Sequence, residues 1–248
     1  MKDVERMKLL LVAINAKYIH SNLAVYSLRA YAEKFQESIE IGEYTINNRS
    51  ETILADIYRR NPQVIAFSCY IWNWTTVQEL LEELPKVMPW RDIWLGGPEV
   101  SYEGEKILKK YPHLTGIMTG EGEQTFRELM QYYCLHDREL TDVSGLYLPG
   151  KGLTGPREAM DLDEIPFYYR EPELFANRIL YYESSRGCPY RCSYCLSSID
   201  KKVRLRSFDK VKAELDIFLK YKVPQVKFVD RTFNCLPEHS MEILKFIK

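Results

Sequence analysis

Short apolar segments alternate with amphipathic segments from residue 8 to about residue 148. The apolar segments have the length of buried strands, and the amphipathic ones repeat apolar residues at helical spacing. Strand–helix alternation with short turns is typical of βαβ units and of a doubly wound parallel sheet. The predicted strands span residues 9–14, 39–45, 64–69, 93–95, 114–118 and 144–148, and the predicted helices span 23–31, 51–60, 75–84, 102–110 and 122–136.

The pattern changes between residues 149 and 178, where glycines and prolines interrupt any periodicity. We interpret this stretch as an interdomain linker with some ordered contacts. After it the pattern predicts a strand over 179–184, a helix over 207–221, a strand over 226–230 and a helix from residue 238. We therefore expect a complete first domain over residues 1–148 and a second over 179–248 that holds only two βα units.

Composition and charge are those of an ordinary globular protein. Of the 248 residues, 46% are hydrophobic and 28% are charged, which excludes a disordered or collagen-like chain. The 34 Lys and Arg residues are balanced by 35 Asp and Glu, whereas affinity for a nucleic-acid backbone would leave a basic excess. The apolar run 9–14 is far shorter than the ~20 residues of a membrane span, and no signal-peptide pattern follows Met1. We expect a cytoplasmic chain without a membrane or nucleic-acid partner.

Three of the six cysteines, Cys188, Cys192 and Cys195, form a C-x3-C-x2-C motif. A chain this long buries a core without disulfides, so a tight cysteine cluster in a cytosolic chain indicates metal or redox chemistry. Three thiolates on one short loop can face a single inorganic cluster. Since ferredoxins use four cysteines per cluster, one iron would stay open to a small molecule. The alternatives are unreactive buried thiols or a structural zinc site, whose missing ligands Cys235 and His239 lie 40 or more residues away.

The motif follows a predicted strand and has an aromatic residue, Tyr194, before its third cysteine. In this it resembles the signature of radical S-adenosylmethionine enzymes, whose fold is a partial or full (β/α) barrel. The resemblance implies a [4Fe–4S] cluster on Cys188, Cys192 and Cys195, S-adenosylmethionine on the fourth iron, and Tyr194 near the adenine. It also implies that one electron, from a donor such as flavodoxin or ferredoxin, cleaves the sulfonium to a 5′-deoxyadenosyl radical. The protein itself would position the reactants and exclude water and oxygen.

Residues 226–234 occupy the second predicted barrel strand and its exit. In the family, polar groups there hold the methionine amino group of S-adenosylmethionine, usually in a Gly-Gly-Glu pattern, which this sequence lacks. Asp230 is the candidate for that role, because active-site groups lie at the carboxyl ends of parallel barrel strands. The alternative is that Asp230 caps the following turn.

Three features of the first domain follow predicted parallel strands, at the edge where open α/β sheets bind ligands. They are Ser68, the pair Gly96-Gly97 and the pair Gly120-Glu121. Glycines at such exits let a ligand approach the backbone closely. Together with the radical motif, this pattern resembles the Rossmann-like cobalamin-binding domain of many radical S-adenosylmethionine proteins, where S-x-L and G-G elements accommodate the nucleotide tail. Tyr70 stands in place of the leucine. The resemblance implies cobalamin as a cofactor bound by these residues.

His20 lies in the loop after the first predicted strand. In B12 mutases, a D-x-H-x-x-G motif in this loop supplies the histidine that ligates cobalt. His20 has neither the Asp two residues before it nor the Gly three residues after it, and in the class fused to radical domains cobalt is generally not ligated by histidine. His20 is therefore a candidate for cofactor contact, for a structural role in the loop, or for cobalt ligation.

Several other side chains have both a structural and a functional interpretation. Tyr70, Trp72 and Trp74 can line an apolar cofactor face or pack in the core. Cys69, in a buried strand, is expected to be a small core residue. A basic stretch is typical of a solvated face, or else it contacts a substrate phosphate. It comprises Lys201, Lys202, Arg204 and Arg206.

These observations predict a radical S-adenosylmethionine enzyme in which a [4Fe–4S] cluster generates a 5′-deoxyadenosyl radical and cobalamin assists methyl transfer or rearrangement on an unknown substrate. One alternative is a non-catalytic module that senses cobalamin or redox state. Another is a tRNA methylthiotransferase-like enzyme, a family with a second cysteine triplet where this chain has only Cys69 and Cys134. Because two βα units cannot close around a cluster, we expect an N-terminal part of a longer enzyme, inactive alone.

Overall fold

The computed structural model describes residues 7–169, 175–200 and 202–248. Its contacts divide the chain into two compact units. Unit 1 consists of Ala24–Ala159 together with the residues up to Tyr18, and unit 2 consists of Met160–Lys248 together with Ile19–Leu23. The short segment Ile19–Leu23 therefore groups with the second unit, although it lies early in the sequence.

Unit 1 contains one seven-stranded sheet. Its strands are β1 (Leu9–Asn15), β2 (Ile39–Thr45), β3 (Val64–Ser68), β4 (Asp92–Gly96), β5 (Gly116–Met118), β6 (Leu146–Leu148) and β7 (Gly152–Leu153). They lie in the order β2-β1-β3-β4-β5-β6-β7, and the first five are parallel, which confirms the predicted doubly wound α/β sheet. The strand expected at 144–148 is present as β6, but it runs antiparallel to β5 and pairs with β7. Gly150, with a φ of 71°, supplies the left-handed residue of the turn between β6 and β7.

Helices cover both faces of this sheet. They are α1 (Leu23–Tyr31), α2 (Ser50–Arg60), α3 (Trp74–Val87), α4 (Gly104–Lys110) and α5 (Gly122–Leu135). Buried residues of α2, α3 and α4 form one hydrophobic layer with the sheet, and those of α1 and α5 form the other. No helix in the described ranges is long and apolar enough to span a membrane.

β1 contributes to both hydrophobic layers because its side chains alternate between the two faces of the sheet. Its even-numbered residues from Leu10 to Ile14 pack in the layer of α2, α3 and α4, and its odd-numbered residues from Leu9 to Ala13 pack with α1 and α5. All seven residues of β1 are buried. A parallel strand covered on both faces has a continuous apolar sequence, which is the pattern that predicted it.

In its described residues, unit 2 contains two short sheets and two α-helices. Its elements are β8 (Leu180–Tyr182), β9 (Ser185–Arg186), β10 (Arg204–Leu205), α6 (Phe208–Lys220), β11 (Val226–Phe228) and α7 (Pro237–Ile247). β8 pairs in parallel with β11, and α6 lies between them in sequence. β9 and β10 are antiparallel and flank the cysteine motif. Unit 2 thus contains the two βα units that the sequence predicts.

The stretch interpreted as a linker, residues 149–178, contains β7, a 3-10 turn at Leu162–Glu164 and the buried Tyr169. Residues 170–174 lie outside the described residues. Unit 1 extends to Ala159, so the beginning of this stretch packs with the first unit. The linker and the domain boundary at residue 148 stay predictions.

A buried ion pair joins elements of unit 2. One guanidinium nitrogen of Arg206 lies 2.7 Å from a carboxylate oxygen of Glu214 in α6, and the two side chains are only 6% and 9% exposed. The other carboxylate oxygen accepts a hydrogen bond from the hydroxyl of Tyr182 in β8. The guanidinium also donates to the carbonyls of Leu162 and Ile165. The pair therefore holds α6, β8 and the 3-10 turn together.

The basic stretch before α6 is not a uniform solvated face. That interpretation is wrong for Arg206, because its charge is compensated inside unit 2 by Glu214. Arg204 donates to the carbonyl of Met160 and pairs with Asp200 at 3.1 Å. Lys202 is exposed, and Lys201 lies outside the described residues.

Glu214→Ala is expected to destabilise unit 2 by about 3–5 kcal/mol, because it leaves the buried Arg206 charge without its carboxylate. Asp216→Ala, which removes an exposed carboxylate from the same helix, is expected to change stability by less than about 0.5 kcal/mol. Amide hydrogen exchange of α6 measures both effects, since no tryptophan lies in unit 2. Equal exchange in the two variants would contradict a stabilising role for the pair.

Candidate functional site

The carboxyl ends of the parallel strands of unit 1 form the candidate site. Strand order reverses between β1 and β3, and open α/β sheets bind ligands in the crevice at such a point. Ser68 ends β3, Gly96 ends β4 and is followed by Gly97, and Gly120 and Glu121 lie between β5 and α5. The parallel sheet therefore brings these five sequence-predicted residues to one edge.

A stacked aromatic pair, the half-buried Tyr70 and the exposed Trp72, follows β3. The rings of Tyr70 and Trp72 are stacked, with centroids 4.3 Å apart and an angle of 10° between their planes. Trp72 is 47% exposed and Ile71, between them in sequence, is 80% exposed. Trp74, in the first turn of α3, packs against the hydrophobic core instead. The three aromatic residues grouped in the sequence thus separate into a stacked pair, in which Trp72 is exposed, and a residue that packs against the core.

Gly97 allows the chain leaving β4 to lie against the exit of β3. Its φ is 109°, and a Cβ at this position would collide with the backbone carbonyl of Cys69. The N–H of Cys69 donates to the carbonyl of Gly96 (N···O 2.7 Å), and the carbonyl of Cys69 accepts from the N–H of Glu99 at 3.4 Å. The Cys69 thiol is buried as expected, and burial raises its pKa. Glycine is therefore required at position 97 because the backbone there lies directly against the backbone of Cys69.

Asn73 is a residue of this edge that the sequence did not reveal. Its side chain is fully buried. Nδ2 donates to the carbonyl oxygens of Ile14 in β1 (3.0 Å) and Ser68 in β3 (2.9 Å), and Oδ1 accepts from the N–H of Tyr70 at 2.8 Å. Asn73 occupies the N-cap position of α3, yet its side chain makes no capping hydrogen bond. An asparagine before a helix is ordinarily interpreted as a cap. The sequence position of Asn73 therefore indicates a capping role, whereas its side chain bonds β1, β3 and Tyr70 instead.

The exit of β5 is more open than that of β4. Gly120 has a φ of 73°, and apart from its chain neighbours no atom of the described residues lies within 4 Å of the position of a Cβ there. Glu121 follows in extended backbone conformation at the N-cap position of α5. Glu123, in the first turn of α5, is buried and accepts a hydrogen bond from the hydroxyl of Ser27 at 2.9 Å. A ligand can therefore approach the backbone at Gly120 without displacing protein atoms.

His20 groups with unit 2 rather than with unit 1. Its Nδ1 lies 2.5 Å from the hydroxyl of Tyr181, and its backbone forms a parallel bridge with Ile179. The hydroxyl of the neighbouring Ser21 donates to the carbonyl of Ile179 and lies 3.0 Å from the hydroxyl of Tyr169. These contacts agree with a structural role of His20 in its loop, and its roles toward cobalamin stay predictions.

The cysteine motif lies on the connection between β9 and β10. Gly187 precedes it with a φ of 93°, where a Cβ would collide with the carbonyl of Lys202. The N–H of Cys188 donates to the carbonyl of Asp200 at 3.3 Å, which closes the base of the loop. Cys188 is half-buried, and Cys192 and Cys195 are exposed. Within the described ranges, no three His, Cys, Asp or Glu side chains are gathered closely enough to hold a metal ion.

The surroundings of the thiols nevertheless suit thiolate chemistry. The N–H and the hydroxyl of Ser197 hydrogen-bond the sulfur of Cys195, and together with the charge of Arg231 they lower the pKa of this thiol. Cys188 Sγ lies 3.3 Å from the hydroxyl of Thr232, after β11. Thiolates are the form that ligates metals. Three thiols within eight residues of one accessible loop fit the donor set of an iron–sulfur cluster.

Asp230 is hydrogen-bonded within the protein, whereas Tyr194 is almost fully exposed. The Asp230 carboxylate accepts hydrogen bonds from the N–H and hydroxyl of Ser184 (3.1 and 2.6 Å) and from the hydroxyl of Ser185 (2.5 Å). Asp230 thereby joins the exit of β11 to the exit of β8 instead of capping the turn that follows it. Tyr194 is 92% exposed. The roles of both residues toward S-adenosylmethionine stay predictions.

Comparisons with known proteins identify the first unit. Residues 9–130 match the B12 binding domain family. The chain is 27% identical over 194 residues to the cobalamin-dependent radical SAM methyltransferase TokK of Streptomyces tokunonensis, covering 71% of this chain and 28% of TokK. It is 32% identical over 170 residues to an uncharacterized methyltransferase of Pyrococcus horikoshii, covering 62% of this chain and 36% of that protein. The chain thus spans about a third of the length of these relatives.

A solved structure matches the fold of nearly the whole chain. OxsB, a cobalamin-dependent S-adenosylmethionine radical enzyme solved with aqua-cobalamin and S-adenosylmethionine bound, aligns with a TM-score of 0.77 at 21% identity. The alignment covers 98% of this chain and 37% of OxsB. This likeness concerns the fold alone. Together with the B12 binding domain match, it confirms the predicted class of the first unit, a cobalamin-binding type of α/β sheet. The start of a radical S-adenosylmethionine barrel after that sheet stays a prediction.

Alanine substitution at the adjacent Gly96 and Gly97 is expected to change the stability of unit 1 by different amounts. Gly97→Ala places a Cβ against the Cys69 carbonyl at a positive φ and is expected to destabilise unit 1 by about 2–4 kcal/mol. Gly96→Ala places its Cβ 3.4–3.9 Å from atoms of Met118, at ordinary van der Waals distance, and is expected to change stability by less than about 1 kcal/mol. Denaturant unfolding followed by tryptophan fluorescence measures both, because all four tryptophans lie in unit 1. Similar midpoints for the two variants would show that the β3–β4 approach is not constrained as described.

Proposed function

We propose that this chain, a member of the B12-binding-domain-containing radical S-adenosylmethionine proteins, binds cobalamin at the carboxyl edge of the unit 1 sheet and takes part in cobalamin-dependent radical methyl transfer. The observation that carries this proposal is the match of residues 9–130 to the B12 binding domain. The two curated relatives compared above are methyltransferases, which supports a B12-related role in methyl transfer. Because the chain spans about a third of them, the activity of a whole protein is part of the proposal.

The cobalamin residues we propose are those that the sheet brings to one edge. They are Ser68, Gly96, Gly97, Gly120 and Glu121. The open backbone at Gly120 leaves room for close approach, whereas Gly97 acts by shaping the edge, because the Cβ that it lacks would face Cys69. The stacked pair Tyr70 and Trp72 adds a flat, apolar surface after Ser68. Cobalamin, when bound, supplies a cobalt centre that can carry a methyl group.

Cys188, Cys192 and Cys195 are the residues proposed to hold a [4Fe–4S] cluster. The chain presents three thiols from one loop, so one iron is left without a protein ligand from this motif. When bound and reduced, the cluster supplies the electron that cleaves S-adenosylmethionine to the 5′-deoxyadenosyl radical. The hydroxyl of Thr232 can donate to a Cys188 thiolate, and Ser197 donates to Cys195. Hydrogen bonds of this kind tune the potential of such a cluster.

Asp230 retains the capacity to bind the amino group of S-adenosylmethionine. A carboxylate offers about four acceptor positions, and hydrogen bonds from Ser184 and Ser185 use three of them within the described part of the chain. Those bonds also fix the carboxylate at the exit of β11. Asp230 therefore offers an oriented negative charge at the strand end where the family places its polar ligands.

Trp72→Ala is expected to weaken cobalamin binding at least about tenfold, because it removes a large exposed ring from the proposed cofactor face. Trp90→Ala is the matched control: Trp90 is 90% exposed and precedes β4, at the amino edge of the sheet. Equilibrium dialysis of the 248-residue chain against hydroxocobalamin measures both affinities. Absence of retention by the unsubstituted chain would refute the cobalamin proposal, and equal weakening by the two variants would refute the location of the site.

Anaerobic reconstitution with iron and sulfide is expected to give a brown chain with about four iron atoms, held by the three motif cysteines. Cys188→Ala, Cys192→Ala and Cys195→Ala are each expected to lower the iron content and the broad visible absorption. Cys134→Ala, which changes a cysteine of α5 in unit 1, is expected to leave both unchanged. Iron analysis and absorption spectra decide the outcome, and a colourless unsubstituted chain would rule out the cluster.

A further inference from the structure

We propose that Asn73 is a positioning residue that holds the cobalamin-facing surface of unit 1 in its binding conformation. The inference rests on the proposed function of that edge. Asn73 itself is fully buried, so it acts through the residues that it hydrogen-bonds. Those residues belong to β1, to β3 and to the loop that carries the stacked aromatic pair Tyr70 and Trp72.

The side chain of Asn73 joins the two strands at which the sheet order reverses. Its Nδ2 has two N–H groups, which donate to the carbonyls of Ile14 in β1 and Ser68 in β3. β1 and β3 are neighbours in the sheet, and the crevice of a doubly wound sheet opens between such strands. The amide therefore fixes the spacing of the backbone at the point where a ligand would enter.

The same side chain shapes the loop between β3 and α3. Its Oδ1 accepts from the N–H of Tyr70, and its backbone N–H donates to the Tyr70 carbonyl at 3.0 Å. Tyr70 stacks on Trp72, the residue just before Asn73. The loop is thus held by a buried amide, while the ring of Trp72 is exposed and stacks on the half-buried ring of Tyr70.

A second contact holds the other side of this loop, next to β4. Cys69 bonds the carbonyl of Gly96, and the positive φ of Gly97 lets the following backbone approach Cys69. The loop from Ser68 to Asn73 is therefore fixed between the exits of β1 and β4. Such a surface is formed before a ligand arrives, and preorganisation of this kind strengthens binding by lowering the ordering cost.

Only an amide of this length can serve all three partners. Aspartate has the same shape but no N–H, so it would place oxygen atoms against the carbonyls of Ile14 and Ser68. Alanine removes all three side-chain hydrogen bonds. Asn73→Ala thus removes the hydrogen bonds to β1 and β3 together with side-chain volume. Asn73→Asp removes the same hydrogen bonds without loss of side-chain volume. Ile57→Ala serves as the control, because Ile57 is fully buried in the last turns of α2. Its truncation destabilises the same unit without removing a side-chain hydrogen bond.

The ligand-free chain tests the positioning role directly. We expect acrylamide quenching of Trp72, obtained by difference against the matching Trp72→Phe chains, to rise in Asn73→Ala and Asn73→Asp but not in Ile57→Ala. Each measurement is made well below the unfolding midpoint of every variant. Unchanged quenching in both Asn73 variants would overturn the inference. If Asn73→Ala does not fold, Asn73→Asp alone decides it.

Equilibrium dialysis against hydroxocobalamin tests the link to binding. Both Asn73 variants are expected to bind about tenfold more weakly than the unsubstituted chain, because two aromatic side chains must then be ordered on binding. Ile57→Ala is expected to bind like the unsubstituted chain. Equal affinities of the Asn73 variants and Ile57→Ala would overturn the inference while leaving the proposed function intact. If the unsubstituted chain retains no cobalamin, the proposed function fails, and the quenching result still decides whether Asn73 positions the loop.

Discussion

The carboxyl edge of the first sheet depends on one constraint: neighbouring strands end there, and their backbone groups need partners. Asn73 supplies two of them, through hydrogen bonds to the carbonyls of Ile14 and Ser68. The N–H of Cys69 supplies a third, for Gly96. A buried polar group left without a partner costs about 1–3 kcal/mol, so these contacts are strong determinants of the local chain path. Because the partners of these three carbonyls lie within the protein, the chain path at the exits of β1, β3 and β4 does not depend on a ligand.

The sheet was predictable from the sequence because its central strand is buried on both faces. β1 must be apolar on both faces, since one face packs with α1 and α5 and the other with α2, α3 and α4. That requirement is visible in the residue types, and it produces the continuous run from Leu9 to Ile14. The glycines at the strand exits were also visible, because they directly follow the apolar segments. β6 kept its position but not its direction, which depends on pairing with β5 and β7 rather than on composition.

What the residue types do not show is the partner of a polar side chain. Asn73 has the sequence position of a helix cap, yet its side chain bonds Ile14 of β1, 59 residues earlier, and Ser68 of β3, five residues earlier. Arg206 stands in a basic stretch, yet it is buried against Glu214 eight residues later. Asp230 precedes a turn, yet it binds serines more than forty residues away. Each of these contacts arises from the tertiary fold, so local pattern favoured the solvated or capping alternative.

The two proposed cofactor regions differ in how far the protein alone organises them. In unit 1, backbone contacts and a buried amide fix the surface. In unit 2, Cys192 and Cys195 are exposed, and no group of metal-binding side chains is gathered within the described ranges. Thiolates brought together without a metal repel one another, and metal binding is therefore coupled to ordering of the residues that ligate it. On the proposed function, Gly187 and the Cys188–Asp200 hydrogen bond fix the base of the cysteine loop, while the exposed thiols of Cys192 and Cys195 stay accessible to iron.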